Sequence, residues 1–512
     1  MIELSNIEKE YADKLLFKNV NLTIYDGERV GIVGSNGSGK TTLLRIMTGE
    51  VQPDEGQVYN NSTVGYLKQI TEYTHQDFLD LCSNPELIKD FMKITKQLQL
   101  SGNIEMDANR LQSLSGGEKT KLMLASILSQ NPDTLILDEP TNHLDQSGVE
   151  WLINALDNYN GTVIVVSHDR YFLNNVVNRI VEIENGIVDD FYGDYDDFNK
   201  QKEQLLKEQK QKYEQQEQLK KKIDRQIRQL SVWAGKAERE SRRQGGMMSD
   251  SRIKGAQTKA QVSAGKLANQ AKAKVSRLEQ AKEDFIERPY EEGEVFYKLD
   301  AKPIGSKILI RAEDLTKAFG QTVLFEGATF NILAGEKVSL EGKNGVGKTT
   351  LIKILLGHED YSGSLWVAPA LKPAYLSQDV LDLDGNMTIM DLSKQGDKEY
   401  RTKFLSNLAN MNMSRQTFDR KISTLSLGER MRIKLNEVIL SDFNMLILDE
   451  PTNHLDLPNR IFMEKILKDY KGALLLVSHD RTLSRNVCES SLVFEDNTIK
   501  KKQIIREFEI DR

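Results

Sequence analysis

Short, uninterrupted apolar runs recur in two long stretches of the chain, residues 1–195 and residues 301–512. Examples are Arg29–Gly34 (RVGIVG), which leads into a glycine-rich turn, and Val163–Ser167 (VIVVS). Runs of this length without polar alternation are typical of strands buried on both faces of a parallel sheet. The pattern therefore predicts two α/β lobes, one in each stretch.

Residues 196–300 have a different periodicity. Apolar residues occur there at steps of three or four, which predicts amphipathic helices rather than strands. Two such stripes flank a polar, glycine-containing segment at residues 242–249, so an antiparallel helical hairpin with its tip in that segment is expected. A helix of roughly 40 residues would be about 60 Å long, at 1.5 Å per residue. The stripes are Leu219, Ile223, Ile227, Leu230 and Trp233 or Ala234, and then Leu267, Ala271, Val275, Leu278, Ala281 and Phe285.

An internal repeat with a spacing of about 310 residues relates the two lobes. The eleven letters of Leu135–Asp145 (LILDEPTNHLD) recur unchanged at Leu446–Asp456, and the SHDR sequence at Ser167–Arg170 recurs at Ser478–Arg481. The step from aspartate to histidine is 30 residues in both copies. Duplication of one lobe explains these matches, and gives three domains: 1–195, a linker at 196–300, and 301–512.

Charge is distributed unevenly along the chain, although the net charge is only −7. Residues 200–288 contain 23 basic and 12 acidic residues, a net charge of +11. From Ser251 to Leu278 there are seven basic residues and no acidic one. A basic linker between acidic lobes indicates a polyanionic partner, against the alternative of a spacer with a solvated charged face.

Membrane and secreted classes do not fit the sequence. No apolar run approaches the roughly 18 residues needed to span a bilayer. The first residues, MIELSNIEKEY, lack the basic and apolar segments of a secretory signal. Cys82 and Cys488 are too few for a disulfide framework or a four-cysteine zinc site. A cytoplasmic protein with no membrane partner is expected.

Each lobe contains a glycine loop of the form GxxxxGK[ST], which follows a strand and opens a helix. Such a loop surrounds phosphate groups with backbone N–H groups at a helix N-terminus. The expected ATP-binding residues are Gly34, Ser35, Asn36, Gly37, Ser38, Gly39, Lys40, Thr41 and Thr42, and Gly342, Lys343, Asn344, Gly345, Val346, Gly347, Lys348, Thr349 and Thr350. Two such matches, each with its partner motifs in order, predict two ATP sites.

Carboxylates at the ends of buried strands complete the expected chemistry. Asp138 and Asp449, with Thr41 and Thr349, are candidates to hold Mg²⁺. The next residues, Glu139 and Glu450, could orient and deprotonate the attacking water. His168 and His479 could contact the γ-phosphate. The competing interpretation is that these carboxylates only cap the following helices.

Leu114–Glu118 (LSGGE), ahead of the LILDEP strand, resembles the signature motif of ATP-binding cassette (ABC) proteins. The second copy reads LSLGE. This resemblance implies that the signature of each cassette closes over the ATP held by the other. It assigns Ser115, Gly116 and Gly117 to one signature and Ser426 and Gly428 to the other. Leu427 replaces Gly116 of the first copy, so slower hydrolysis is expected at the site that uses Lys40.

The same resemblance assigns further positions. Gln69 and Gln378 match the Q-loop, and His168 and His479 match the switch histidine. Tyr11 and Phe319 each lie 29 residues before a glycine-loop lysine and match the adenine-stacking aromatic residue.

Two cassettes with a charged helical linker resemble the ABC-F subfamily, whose members act on ribosomes. The resemblance implies a 70S ribosome partner, with the linker directed towards rRNA and the peptidyl-site tRNA. The contact residues expected in the linker and its tip are Arg242, Arg243, Met247, Met248, Lys254, Lys259 and Lys266. A monomer with an intramolecular cassette dimer is expected.

Within ABC-F, the spacing of 45 residues from Gln69 to Leu114 leaves no room for the arm that housekeeping members insert there. Together with the short segment after the last cassette strand, this resembles the antibiotic-resistance branch of Vga, Lsa and Vml type. Protection against lincosamides, pleuromutilins and streptogramin A is then expected. The main alternative is a housekeeping translation factor. A transporter ATPase subunit fits less well, because it has no use for a basic linker. A DNA-repair or chromosome-structure ATPase also fits less well, because excision-repair members carry zinc cysteines and SMC-like members have a cassette split by a coiled coil.

Overall fold

The computed structural model describes most of the chain. The described residues are 1–11, 14–68, 84–98, 116–142, 144–184, 186–245, 270, 273–274, 276, 305–343, 345–376, 383–411, 413–452 and 455–504. The chain divides into two units: residues 1–198 with 293–512, and residues 199–292. Both cassettes therefore belong to the first unit, and the linker forms the second.

The first cassette contains two sheets. An antiparallel sheet has the strand order β2-β1-β4, and a six-stranded sheet has the order β5-β6-β7-β3-β8-β9, in which only β9 pairs antiparallel. Its strands are β1 (Ile2–Tyr11), β2 (Lys14–Ile24), β3 (Arg29–Gly34), β4 (Glu55–Asn60), β5 (Val64–Leu67), β6 (Thr134–Asp138), β7 (Thr162–Val166), β8 (Arg179–Glu184) and β9 (Ile187–Tyr192). Its helices are α1 (Lys40–Met47), α2 (Pro85–Gln97), α3 (Gly116–Ser129), α4 (Gln146–Asp157) and α5 (Arg170–Val176).

The linker unit begins within one long helix, α6 (Tyr195–Gly245), of 51 residues. At 1.5 Å per residue this helix is about 76 Å long. A helix of roughly 40 residues, about 60 Å long, is expected from the sequence, so the helix in the structure is longer. Ile223 of the first apolar stripe is buried, whereas Leu219 is exposed. Residues 246–249 of the expected tip, and all of the second helix apart from residues 270, 273–274 and 276, lie outside the described residues.

The second cassette repeats the topology of the first, with sheets in the orders β11-β10-β13 and β14-β15-β16-β12-β17-β18. Its strands are β10 (Ile308–Phe319), β11 (Thr322–Leu333), β12 (Lys337–Glu341), β13 (Ser362–Val367), β14 (Pro373–Leu376), β15 (Met445–Asp449), β16 (Ala473–Val477), β17 (Ser490–Glu495) and β18 (Thr498–Gln503). Its α-helices are α7 (Lys348–Leu355), α8 (Ile389–Ser393), α9 (Lys398–Asn410), α10 (Leu427–Leu440), α11 (Leu457–Asp469) and α12 (Arg481–Val487).

The apolar runs are buried on both faces of each central sheet. In β6, Leu135 and Leu137 belong to one buried cluster, while Ile136 between them belongs to the cluster on the opposite face. The same division holds in β15, where Leu446 and Ile447 face different clusters. Because side chains of a strand alternate between faces, a sheet covered on both sides needs apolar residues at every position. The predicted α/β fold with two cassettes is confirmed. Among the described residues, no helix is long and apolar enough to cross a membrane.

Candidate active sites: two ATP sites between the cassettes

The first site is defined here as the glycine loop with Lys40 and its neighbours, and the second site as the loop with Lys348. Both loops depend on glycine at the residue before the lysine. Gly39 and Gly347 have φ of 106°, a conformation that L side chains rarely adopt. A Cβ on Gly39 would also lie 2.6 Å from Cζ of Phe17. Glycine is therefore required where the loop turns into α1.

The two lysines close their own loops. Lys40 Nζ donates to the carbonyl oxygens of Gly34 and Ser35 at 2.9 and 3.0 Å, and Lys348 Nζ donates to Gly342 and Lys343 at the same distances. Burial lowers the pKa of both ammonium groups, since the charged form loses hydration. An anion within the loop would offset that loss, and the helix N-terminus beside each lysine favours one.

A threonine and an aspartate meet at each loop. Thr41 Oγ1 donates to Asp138 Oδ2 at 2.8 Å, and Thr349 Oγ1 donates to Asp449 Oδ2 at 3.0 Å. Asp138 Oδ1 is buried without a hydrogen-bond partner among the described residues. Hydroxyl and carboxylate oxygens are ligands that Mg²⁺ accepts, usually completed by water and substrate phosphates. No group of three or more metal-binding side chains occurs in the described part of the chain. These residues fit an ion that arrives with a nucleotide.

The two candidate bases have an unusual backbone conformation. Glu139 and Glu450 adopt φ of 54° and 52°, in the left-handed region. Their N–H groups donate to Val166 and Val477 of the neighbouring strand at 2.8 and 2.9 Å. A non-glycine residue in this region is strained, and such strain concentrates at functional sites.

Each glutamate faces the histidine expected from the sequence. The Nε2 atoms of His168 and His479 lie 3.3 Å from the Oε1 atoms of Glu139 and Glu450, respectively. Burial raises the pKa of both glutamates to about 7. Burial also lowers the pKa of His168 well below its ordinary value, and lowers that of His479 to about 4. The pairs thus place a carboxyl group with a near-neutral pKa beside a neutral imidazole, an arrangement suited to accepting a proton from water.

A cavity of about 640 Å³ at the second site is lined by both cassettes. Its lining includes Gly116 and Gly117, at the start of α3 in the first cassette, together with residues of the glycine loop of the second cassette. At this site, signature residues of one cassette and the glycine loop of the other thus line one cavity. The residues of the second cassette in the lining include Phe319, Gly345, Gly347, Lys348, Thr349, Thr350, Asp449, Glu450 and His479.

The cavity at the first site is smaller, about 290 Å³. Its lining, within the described ranges, comes from the first cassette alone and includes Tyr11, Asn36, Gly37, Gly39, Lys40, Thr41, Thr42, Asp138, Glu139 and His168. Ser426 and Gly428 of the opposite signature are not part of this lining. Ser426 instead caps α10, where its hydroxyl accepts from the N–H of Glu429 at 3.2 Å. A Cβ on Gly428 would lie 2.9 Å from Nδ2 of Asn459.

Several expected site residues cannot be placed. Gln69, Ser115, Asn344 and Gln378 lie outside the described residues, as do Met247, Met248, Lys254, Lys259 and Lys266. Arg242 and Arg243 lie in the last turn of α6, but their side chains are not described. Their proposed roles remain predictions.

Contacts between the cassettes include residues that the sequence analysis missed. The N–H of Asn36 in the first loop donates to Asp456 Oδ2 of the second cassette at 2.9 Å. The next residue, Leu457, packs into a hydrophobic cluster of the first cassette. Arg460, one turn further along α11, lines the second cavity, and its charge also acts on Glu139 of the first site.

A signal for these residues exists in the repeat. The identical segment LILDEPTNHLD ends at Asp145 and Asp456, and the copies differ directly afterwards. Leu457 corresponds to Gln146, and Arg460 corresponds to Val149. A comparison of the two copies beyond the shared motif would have identified both positions.

Comparison with known proteins identifies the family to which the two cassettes and the linker are similar. A family model described as ABC transporter matches residues 17–142 and 325–453, and a second model with the same description matches residues 181–297. The ribosome protection protein VmlR of Bacillus subtilis (strain 168) is 36% identical over 98% of this chain and 88% of its own length. ATP-binding protein Uup of Escherichia coli (strain K12) is 31% identical, covering 97% and 80%. ABC transporter F family member 5 of Arabidopsis thaliana is 29% identical, covering 98% and 75%.

Among solved structures, the archaeal ribosome recycling factor aABCE1, in its complex with the ribosomal stalk protein aP1, superposes with a TM-score of 0.60. The match covers 97% of this chain and 89% of that chain at 21% identity. At that identity, the likeness shows a shared fold.

Proposed function

The chain belongs to the ABC-F subfamily of ATP-binding cassette ATPases, and we propose that it binds the ribosome in its ATP-closed state and protects it against antibiotics. The observation that carries this proposal is the match to a ribosome protection protein at 36% identity over 98% of the chain. The other two relatives named above, ATP-binding protein Uup and ABC transporter F family member 5, are less similar, at 31% and 29% identity.

The proposed chemistry is hydrolysis of ATP to ADP and phosphate at both sites. Lys40 and Lys348 bind the phosphates, while Tyr11 and Phe319 stack on the adenine. Thr41 with Asp138, and Thr349 with Asp449, would hold Mg²⁺, which neutralises charge on the phosphate oxygens. Glu139 and Glu450 accept the proton of the attacking water, whose oxygen bonds to the γ-phosphorus as the bond to ADP breaks. His168 and His479 orient the γ-phosphate.

Closure of the cassettes around ATP is proposed to favour ribosome binding, and hydrolysis to drive release. Substituting both bases, Glu139→Gln with Glu450→Gln, leaves the phosphate-binding residues in place while blocking proton transfer. This double variant should pellet with 70S ribosomes in the presence of ATP far more completely than the unaltered protein. Equal pelleting would contradict hydrolysis-driven release.

The basic linker is proposed to reach rRNA and the peptidyl-site tRNA. The protein is proposed to act in the cytoplasm as a monomer. Lysines that contact phosphate release counterions, so reversing the charge of Lys254, Lys259 and Lys266 should weaken ribosome association and reduce its salt dependence. ATPase activity without ribosomes should stay unchanged, because these residues lie outside the cassette motifs. An unchanged affinity across a salt series would make the linker a solvated spacer.

Drug protection is tested by growth of a susceptible strain with and without the gene, across lincosamides, pleuromutilins and streptogramin A. Expression is expected to raise the inhibitory concentrations of these drugs. Ribosome binding without any change in inhibitory concentration would assign a housekeeping role in translation instead. Alanine at both Met247 and Met248 should reduce protection while ribosome binding and ATPase activity persist, if the tip acts near the drug site.

A further inference from the structure

Two residues after each switch histidine is an arginine that forms an ion pair with a glutamate of the other cassette. Arg170 Nη1 donates to Glu464 Oε2 on α11 at 2.8 Å, and Arg481 Nη2 donates to Glu150 Oε1 on α4 at 2.6 Å. The arginines are equivalent in the repeat, but their partners are not. Glu464 corresponds to Ile153, and Glu150 corresponds to Ile461. The two contacts therefore do not follow from the duplication alone.

The two ion pairs also differ in burial. The side chains of Arg170 and Glu464 are 13% and 10% exposed, whereas those of Arg481 and Glu150 are 20% and 52% exposed. Glu464 is further fixed by Nδ2 of Asn486 and Nζ of Lys468, each 2.8 Å from its Oε1 atom. A charge pair with little water around it depends strongly on geometry, while an exposed pair contributes little.

Residues 167–170 form one hydrogen-bonded turn that joins Arg170 to His168. The N–H of Asp169 donates to Ser167 Oγ at 3.1 Å, and the Asp169 carboxylate accepts from the N–H of Phe172 at 3.1 Å, which caps α5. Because α5 begins at Arg170, a displacement of the arginine moves the same turn that holds His168 3.3 Å from Glu139.

Helix α11 contacts the first site at the glycine loop as well as at Arg170. Asp456, its N-cap residue, accepts from the N–H of Asn36 in the glycine loop at 2.9 Å. Glu464 lies eight residues further on, about 12 Å along the helix axis. One helix of the second cassette thus contacts both the phosphate-binding loop and the histidine turn of the first site.

We propose that Arg170 and Glu464 are positioning residues that couple docking of the second cassette to hydrolysis in the first site. With the pair intact, α11 holds the turn at residues 167–170 so that His168 stays against Glu139. Without it, ATP still binds to Lys40 and its loop, but the γ-phosphate and the attacking water are less well aligned. The proposal rests on the ATPase activity of the family, so its failure would leave the proposed ribosome function untouched.

The test isolates the first site in a Glu450→Gln background and measures steady-state ATP hydrolysis. Glu464→Gln and Arg170→Gln should each lower kcat about tenfold, with the KM for ATP changed by less than about twofold. The variant with both substitutions should be no slower than either single variant, because residues that act through one contact are not additive. A rise in KM at unchanged kcat, or additive losses, would overturn the proposal.

The exposed pair provides the matched control. Glu150→Gln in the same background should change first-site kcat by less than about twofold. A loss as large as that of Glu464→Gln would mean that any charge change between the cassettes slows the enzyme, which would also overturn the proposal. If the single variants fail to fold, Arg170→Met with Glu464→Leu removes both buried charges together. Unaltered kcat in that folded variant would contradict a positioning role.

Discussion

The two ATP sites contain the same catalytic residues in different surroundings. In the second site, glycines of the opposite signature and the glycine loop line one cavity of about 640 Å³. In the first site, the cavity is about 290 Å³, and α11 of the opposite cassette contacts the glycine loop through Asp456 and the histidine turn through Glu464. The imidazole of His168 is 8% exposed, against 28% for His479.

The difference originates just beyond the shared motifs. Leu457 packs its apolar side chain into the first cassette, whereas its counterpart Gln146 lines the second cavity. A buried leucine stabilises contact between the cassettes by about 1.5–3 kcal/mol, while a glutamine there would lose hydration. The lysines, aspartates, glutamates and histidines of the two sites are therefore the same, whereas residues that face the other cassette differ, as do loop positions such as Ser38 and Val346.

The largest expected effect separates the two sites. Glu139→Gln and Glu450→Gln should each stop hydrolysis at their own site and leave turnover at the other, and the double variant should lose at least about 100-fold in kcat. Steady-state phosphate release measures the activity of the two single variants and the double variant. If either single substitution abolishes hydrolysis completely, the sites cannot be treated as separate centres.

The next effect concerns the signature serines. Ser115→Ala should lower turnover at the second site by about tenfold or more, since a hydrogen bond to a charged phosphate contributes about 1.5–3 kcal/mol. Ser426→Ala should have a smaller effect on the first site, because Leu427 already alters that signature and Ser426 caps α10. Each variant is measured with the other site inactivated. Equal losses would remove the asymmetry, but not the head-to-tail arrangement.

The smallest effect is a shift in pH dependence. Since the pKa of Glu139 and of Glu450 is raised to about 7, each carboxyl group is protonated below that pH and cannot accept a proton. Turnover at each site should therefore rise as the pH increases through about 7. The pKa of His479 is about 4, so its imidazole stays neutral throughout this range.

Replacing Arg460 tests whether the pH dependence differs between the two sites. Among the nearby positive charges, Arg460 lowers the pKa of Glu139 more than Lys40 does, whereas it lowers the pKa of Glu450 less than Lys348 does. Arg460→Val, which introduces the residue found at position 149, should move the rise to higher pH, more at the first site than at the second. Arg460→Lys, which keeps the charge, is the control. An equal shift at both sites would show that this charge does not distinguish them.

Much of the molecule could be predicted from sequence because its signals are local. The glycine loops, the aspartates and glutamates at strand ends, and the histidines at a constant spacing all follow from short motifs on buried strands. The backbone strain at Glu139 and Glu450 has no such signal, because it arises from where the next segment leaves the sheet. The length of α6 was underestimated, since the apolar stripe begins well after the helix does.

The sequence by itself determined the two α/β cassettes, the basic helical linker and the residues expected to bind ATP, because apolar periodicity and glycine loops specify local structure. Only the tertiary structure decided which residues of one cassette meet which residues of the other. Contacts such as Asn36 with Asp456 and Arg170 with Glu464 join residues 420 and 294 positions apart. No local pattern encodes such pairs, since they depend on how two folded surfaces meet.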